Sequence, residues 1–458
     1  MFTKPSWMKM MSSILHSNTP LLSVVDPRSL AVRSVQFCRN VAGQPEVARV
    51  THRRFDWAGR PFLCRDPRLF SRSETEADAP VNRMITFSLS AAALLSESVD
   101  SGWQLGLVGE AGQLLESCDG RGTQRLMDYD RSLRRVSVTE QGRVVERLAY
   151  GAADVSEHNQ CNRLVRHDDT AGSRFLNDYG LSGAALGEKR NFLQAPESPD
   201  WPLAEAERDA LLDPVGLQTR WGFNALGEVL VQTDAMGNAQ AFDMTVAGQL
   251  KAAELILVGA AQSHTLVREI HYNAIDQVEQ ETAGNGVISH FQYDPQDNRL
   301  AALNAMAAGT LLQTLIYSYD PVGNVLVVND ASQSDRYCDN QLIVPISRYR
   351  YDTLYQLIEA TGREVRNGAS HGPALPGLQP LPTIDPCQVS NYKQRYSYDA
   401  AGNLLQMRHV GSHAFTRNMH VALDSNRSLP DDNGDVDFAT SFDANGNLLQ
   451  LVRGHAMG

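Results

Sequence analysis

A self-repeat constrains this chain more than any other feature. An aromatic residue, then Asp or Asn, a short turn and a small apolar run recur at Phe55-Asp56, Tyr129-Asp130, Phe223-Asn224, Phe242-Asp243, Tyr272-Asn273, Tyr293-Asp294, Tyr319-Asp320, Tyr351-Asp352, Tyr398-Asp399 and Phe442-Asp443. From Phe223 onward the intervals are 19, 30, 21, 26, 32, 47 and 44 residues, the pattern of a unit of about 20 residues lengthened by insertions. In Arg395 to Met407, Tyr396 and Tyr398 stand two apart and so share one face of a strand. Asp399 can bond the backbone ahead of it, and Gly402 can supply the positive φ that closes a three-residue hairpin loop. Gly59, Gly227, Gly323 and Gly446 hold the same position, and Asn324, Asn403 and Asn447 follow three of these glycines. Pro321 adds a preset φ to the turn after Asp320.

One such hairpin is marginal in water, so stability must come from stacking each unit on its neighbours. The expected fold is all-β, a long curling sheet of hairpins with few short helices. The tyrosines that stand two apart before turns, Tyr317 and Tyr319, Tyr349 and Tyr351, Tyr396 and Tyr398, are expected to fill its packed face rather than to bind sugars. A helix is expected over Trp201 to Leu212, capped by Asp200 with Pro202 in its first turn, as a decorative insertion. Gly368 to Pro386 holds Pro373, Pro376, Pro380, Pro382 and Pro386 and reads as a loop.

Composition narrows the function. The formal charge is 41 − 53 = −12, which removes the broad basic surface that sequence-independent nucleic-acid binding needs. At 42 % hydrophobic and 21 % charged residues the chain should fold around a large buried core. No apolar run reaches the roughly 18 to 20 residues of a membrane span, and Ser12, Ser13, His16, Ser17 and Asn18 interrupt any secretory leader. Cys38, Cys64, Cys118, Cys161, Cys338 and Cys387 show no CxxC spacing, so inert thiols are expected rather than a zinc site or a disulfide framework.

The Tyr-Asp units resemble the RHS, or YD, repeats of bacterial polymorphic toxins and animal teneurins. Further segments are similar to the C subunit of insecticidal toxin complexes (Tc toxins). They include Asp26 to Arg33, Phe55-Asp56-Trp57-Ala58-Gly59-Arg60, Asp66-Pro67-Arg68-Leu69, Ser101-Gly102-Trp103-Gln104, Asp119-Gly120-Arg121-Gly122, Arg166-His167-Asp168-Asp169, Arg220 to Leu230, Glu281 to Gly286 and Arg348 to Tyr355, in the order that family uses. The resemblance divides the chain into a flexible terminus (1–17), an N-terminal C-subunit-like region (18–200) and a YD-repeat region (201–458). It implies a hollow β-sheet shell, built with a larger B partner, that encloses a toxic C-terminal cargo delivered through the A component's channel. It also implies synthesis in the bacterial cytoplasm without a signal peptide and release as part of the complex. Family members continue into a core region whose paired aspartates free the cargo, and then into the toxin itself. This chain stops at Gly458 before either, so an N-terminal fragment, a split gene product or a truncated relic is expected, with no enzymatic activity of its own. An extracellular YD-repeat protein that binds glycans or neighbouring cells is the alternative.

Candidate chemistry is sparse. Asp213-Pro214-Val215-Gly216-Leu217 matches the family's Asp-Pro-x-Gly-Leu cleavage string, but it precedes Trp221 to Asn224 in mid-chain and reads as a turn. Asp431, Asn433, Asp435 and Asp437 alternate like calcium ligands, yet Val436 and Phe442 stand where an EF-hand needs Gly and Glu. Cys161, His167, Asp168 and Asp169 lack any motif that would fix them as a catalytic set. No phosphate loop or His-x-x-x-His pair occurs. No catalytic, metal or cofactor site and no small-molecule substrate are therefore expected; the repeat turns are the residues singled out.

Overall fold

A computed structural model describes residues 14–153, 157–366, 389–431, 436–452 and 455–456. The proposed flexible terminus falls largely outside them, as do the proline-rich stretch Gly368 to Pro386 and the centre of the acidic run, Asn433 to Asp435. The chain is nearly all antiparallel sheet, 52 % strand and 5 % helix, and the sheet is not closed. It forms two compact units. One comprises residues 1–104, 292–304 and 311–458, the other 105–291 and 305–310.

Within each unit strands pair with their neighbours in sequence. In the second, every strand from Leu114–Asp119 to Val287–Tyr293 pairs antiparallel with the next. In the first, one meander runs from Leu22–Val25 to Ala93–Ser98 and another from the strand ending at Tyr319 to Ser428–Pro430. A meander sends alternate turns to opposite rims, and here the rims differ. The turns that begin at Asp26, Asp56 and Ser88 share one rim of the first meander, while the loop 39–46 and the helix Pro67–Ser73 lie on the other. The turns at Asp320, Asp352 and Asp399 likewise share one rim of the last meander. In the second unit the turns at Asp130, Asn224, Thr245 and Asn273 share a rim opposite the insertion 193–216. The insertion 193–216 thus leaves the aromatic–Asx turns of this unit untouched, although the loops 151–163 and 176–186 lengthen their own rim.

The two meanders of the first unit stack rim on rim, joining residues more than 300 positions apart. The Arg39 amide donates to Thr353 Oγ1 (2.8 Å), which donates to the Phe37 carbonyl (2.6 Å), and the Thr353 amide donates to the Arg39 carbonyl (3.2 Å). Arg68, on the helix Pro67–Ser73, donates to the carbonyls of Ala422 (3.1 Å) and Ser425 (2.7 Å). Asp100 accepts from the Asn426 amide (2.6 Å). In each contact the insertion-bearing rim of the first meander sits on the Asp-turn rim of the last.

Several expectations need correction. No single large core forms. Most strand side chains are half-buried on both faces, and the largest fully buried ones, Trp201, Leu69, Ile343 and Val138, lie scattered through the chain. A sheet whose strands contact mainly their sequence neighbours gathers apolar surface locally. The helix expected from Trp201 covers only Glu205–Asp209, with no side-chain cap. Asp200 instead accepts from the Val144 amide (2.8 Å), and the Trp201 amide donates to the Val144 carbonyl (2.8 Å), which holds this stretch extended. A helix that went unrecognised, Pro67–Ser73, is capped by Asp66, which accepts from the Leu69 amide (2.9 Å), with Pro67 at its start. Phe242-Asp243 is not a repeat turn: both lie within the strand Ala239–Met244, and the turn begins at Thr245. The cysteines are not all inert thiols. Cys38, Cys64, Cys118 and Cys161 form no disulfide, but Cys338 is disulfide-bonded, and Cys387 lies outside the described residues.

Candidate functional site

The candidate site is the row of repeat turns. At Asp399 the amide donates to the Asn403 carbonyl (3.0 Å) and the Gly402 amide returns to the Asp399 carbonyl (3.3 Å). One carboxylate oxygen accepts from the amides of Ala401 and Asn403 (both 2.9 Å), the other from the Asn403 side-chain amide (2.9 Å). Asp320 with Asn324 and Asp443 with Asn447 repeat this arrangement. Asp56 with Arg60, Asn224 with Glu228 and Asp352 with Gln356 keep its backbone half. The residue four after the Asx is thus its partner, which gives Asn324, Asn403 and Asn447 their place. Just before each aromatic the register slips by one, so that Tyr319 faces Val325, Tyr351 faces Leu357 and Tyr398 faces Leu404. Phe55 and Phe223 do the same opposite Pro61 and Val229. Phe442 bridges Leu448.

Gly323 and Gly402 close their turns with φ of +117° and +94°. Val at either position is expected to cost about 1–3 kcal/mol, because a β-branched side chain resists that conformation; urea unfolding measures it, and neutrality at both sites would contradict the turn geometry.

The tyrosine hydroxyls supply the links between hairpins. Tyr129, Tyr150, Tyr272, Tyr319, Tyr351 and Tyr398 donate to the carbonyls of Leu114, Arg135, Leu250, Leu300, Val325 and Leu357 at 2.7–3.0 Å. Tyr179 donates likewise to Leu164. Each acceptor is the first residue of the return strand in the preceding hairpin on the same rim. At the rim neighbouring hairpins diverge into their turns, and the hydroxyl bridges the seam there. Burial pushes the phenols of Tyr150, Tyr179, Tyr272, Tyr319, Tyr351 and Tyr398 up, so they remain protonated donors.

Arginines strengthen the same seams. Arg60 holds Asp56 (2.6 Å), lies 4.9 Å over the Phe87 ring and donates to the Ser88 carbonyl (2.7 Å) of the next turn. Arg299 lies over Tyr319 and donates to the Asp320 carbonyl (2.9 Å). Arg134 covers Tyr150 at 4.5 Å. Electrostatics separate exposed turns from covered ones. The hydrogen bond from the Arg134 amide, with that residue's side chain, holds the Asp130 carboxyl below its ordinary range. At Asp352, which is 1 % exposed beneath residues 37–39, burial outweighs the Gln356 and Leu354 amides and raises it.

The remaining candidates are occupied structurally. Asp168 is fully buried on one face of the strand Leu164–Asp169, held by Arg166 Nε (2.7 Å), Arg208 and the Ser173 hydroxyl. His167 Nε2 lies 3.2 Å from Glu146, and Asp169 is paired with Arg190. Arg208 belongs to the helix Glu205–Asp209, and Trp201 donates its indole N–H to the Asp169 carbonyl (3.1 Å). The insertion is therefore pinned by a buried ion cluster rather than decorative. Asp213 accepts from the Val215 amide (2.8 Å) in an exposed turn. Among the described residues no helix is long and apolar enough to cross a membrane.

The chain is an open antiparallel sheet with hairpins linked through rim hydroxyls, and comparison with known proteins gives that fold a biological setting. The chain is homologous to toxin subunits of Yersinia entomophaga. It is 34 % identical to toxin subunit YenC1 over 475 aligned positions, covering 98 % of this chain and 48 % of YenC1. It is 32 % identical to toxin subunit YenC2, covering 97 % and 49 %. The chain thus spans about half the length of these curated relatives. The crystal structure of TcdB2-TccC3 superposes with a TM-score of 0.90 at 31 % identity, covering 98 % of this chain and 22 % of that one. A Photorhabdus luminescens Tc holotoxin pore gives 0.91 at 31 %, covering 99 % and 22 %. No family model matches.

Proposed function

We propose that this chain is a segment of shell wall in a Tc-type toxin, a C-subunit-like scaffold of RHS/YD repeats. It assembles with a B subunit, and through it with the A subunit's channel, around a cargo that these residues do not include. It performs no chemistry of its own and is released from the producing cell as part of the complex. The observation that carries this reading is the rim ladder: tyrosine hydroxyls and arginines tie many of the hairpins to their same-rim neighbours, while the ionisable clusters are consumed in holding strands and insertions together. Walls of paired strands leave few open edges and can keep an unfolded passenger from solvent and proteases. The strand Leu22–Val25 is exposed throughout and, among the described residues, pairs with Ala31–Cys38 alone, which leaves an edge for a partner to cover. Co-expression with TcdB2 tests the reading. A 1:1 complex by size exclusion and native mass is expected, and separate elution of the two proteins would overturn it.

A further inference from the structure

The Asp-turn rims differ in what covers them, turn by turn: in the first unit Trp57 and Leu89 at the Asp56 and Ser88 turns, and Val322 at the Asp320 turn, are open. In the first unit the Asp352 turn lies under residues 37–39, leaving Asp352 1 % and Thr353 7 % exposed. In the second unit the turn tips on the equivalent rim carry large apolar side chains that no described residue covers: Leu133 (50 % exposed), Leu181 (98 %), Leu226 (77 %), Val246 (106 %) and Ile275 (53 %). These tips stand side by side: a Cβ at Gly227 would touch Ser182, and one at Gly248 would meet Glu228. Arg134 reaches Asn162 (3.2 Å) on the next same-rim loop, and Gln249 beside the Val246 turn donates to Asp276 (2.8 Å) beside Ile275. Scattered apolar residues on a surface need no explanation, but successive tips of one rim do.

From these observations we infer that the row Leu181, Leu226, Val246 and Ile275 is a docking surface for the insertion-bearing rim of another hairpin meander, supplied by a separate subunit that stands earlier in the wall. The chain contains a worked instance of the contact, and that instance fixes its polarity. In the first unit the earlier meander contributes its insertion rim (Arg39, Arg68, Asp100) and the later one its Asp-turn rim (Thr353, Ala422, Asn426). An uncovered Asp-turn rim is therefore the lower half of a contact whose upper half comes from a preceding layer. Its apolar tips call for a partner rim with apolar recesses, where the buried centre of such an interface would lie. The inference rests on the shell reading and adds to it which rim is used and in which direction.

The test uses the full chain with TcdB2 as probe. L226E/V246E places two charges on the row, and M236E places one on an equally open tip (81 % exposed) of the opposite rim of the same unit. All three positions face solvent, so thermal melting of the isolated chain should match the wild type and report intact folding. Capture of TcdB2 should weaken at least tenfold with L226E/V246E and stay within twofold with M236E. If wild-type chain captures TcdB2 and L226E/V246E captures it equally well, the docking row is wrong while the shell reading stands. If M236E is the variant that loses capture, the polarity is reversed and the inference fails. A dimer of the chain alone that L226E/V246E dissolves assigns the row to self-association and overturns it. If wild-type chain captures no TcdB2, the shell reading falls and takes the inference with it.

Discussion

Asp168→Asn should lower the stability of the unit formed by residues 105–291 by about 3–5 kcal/mol, the range for breaking a buried charge cluster on one side. Asp168 is fully buried and faces two guanidiniums, Arg166 and Arg208, each 6 % exposed. Removing its charge leaves both cations in a site where water cannot replace the lost partner. Arg166 keeps Asp209 (2.7 Å) and Arg208 keeps Glu205 (3.6 Å), but both carboxylates are largely exposed and screened. Arg208→Met should cost less, because Asp168 then retains Arg166. Urea unfolding of the full chain, followed by the fluorescence of the buried Trp201, measures both. A loss below about 1 kcal/mol for Asp168→Asn would show that the cluster does not hold the insertion.

Replacing Tyr319, Tyr351 and Tyr398 together with Phe should cost about 3 kcal/mol, about 1 for each hydroxyl removed. The rings stay, so packing is preserved and the change isolates the bonds to Leu300, Val325 and Leu357. Each carbonyl sits at a rim where the sheet's own ladder gives out, so the loss is of a link between hairpins rather than within one. Lower unfolding cooperativity, read as a smaller denaturant slope, should accompany the lower midpoint. Phe already stands at positions 55, 223 and 442, so the substitution introduces nothing foreign to the repeat. An unchanged midpoint would remove the hydroxyls from the account of why tyrosine dominates these positions.

What the sequence makes legible is what local chemistry encodes. Asp, Gly and Asn at fixed offsets specify their own turn, because the bonds that close it run between residues at most four apart. The hydroxyl bonds were not legible. Tyr398 reaches a carbonyl 41 residues back and Tyr129 one only 15 back, and insertion length hides their common geometry. Degenerate members escaped for a related reason. At Thr245 a hydroxyl replaces the carboxylate and still accepts from the Gln249 amide (3.1 Å), whereas the more conspicuous Phe242-Asp243 lies in mid-strand. The Trp201 helix misled because Asp200 looks like a cap when read alone, and only the strand Arg143–Tyr150 shows what it binds. The ion cluster at Asp168 was not legible because Arg208, 40 residues away, is absent from the local string. Nor does any spacing announce the disulfide at Cys338.

The idea beneath both the wall and its proposed partner is that the hairpins are coupled across their seams through the tyrosine hydroxyls. Hydrogen exchange in full-length Tyr351→Phe tests it most directly, since Tyr351 donates to Val325 in the hairpin before its own. Faster exchange should appear in the strand Val325–Asp330 as well as in Ile346–Tyr351. Exchange that rises only within the hairpin that carries the substitution, or nowhere, would mean that the hairpins stand side by side without being tied.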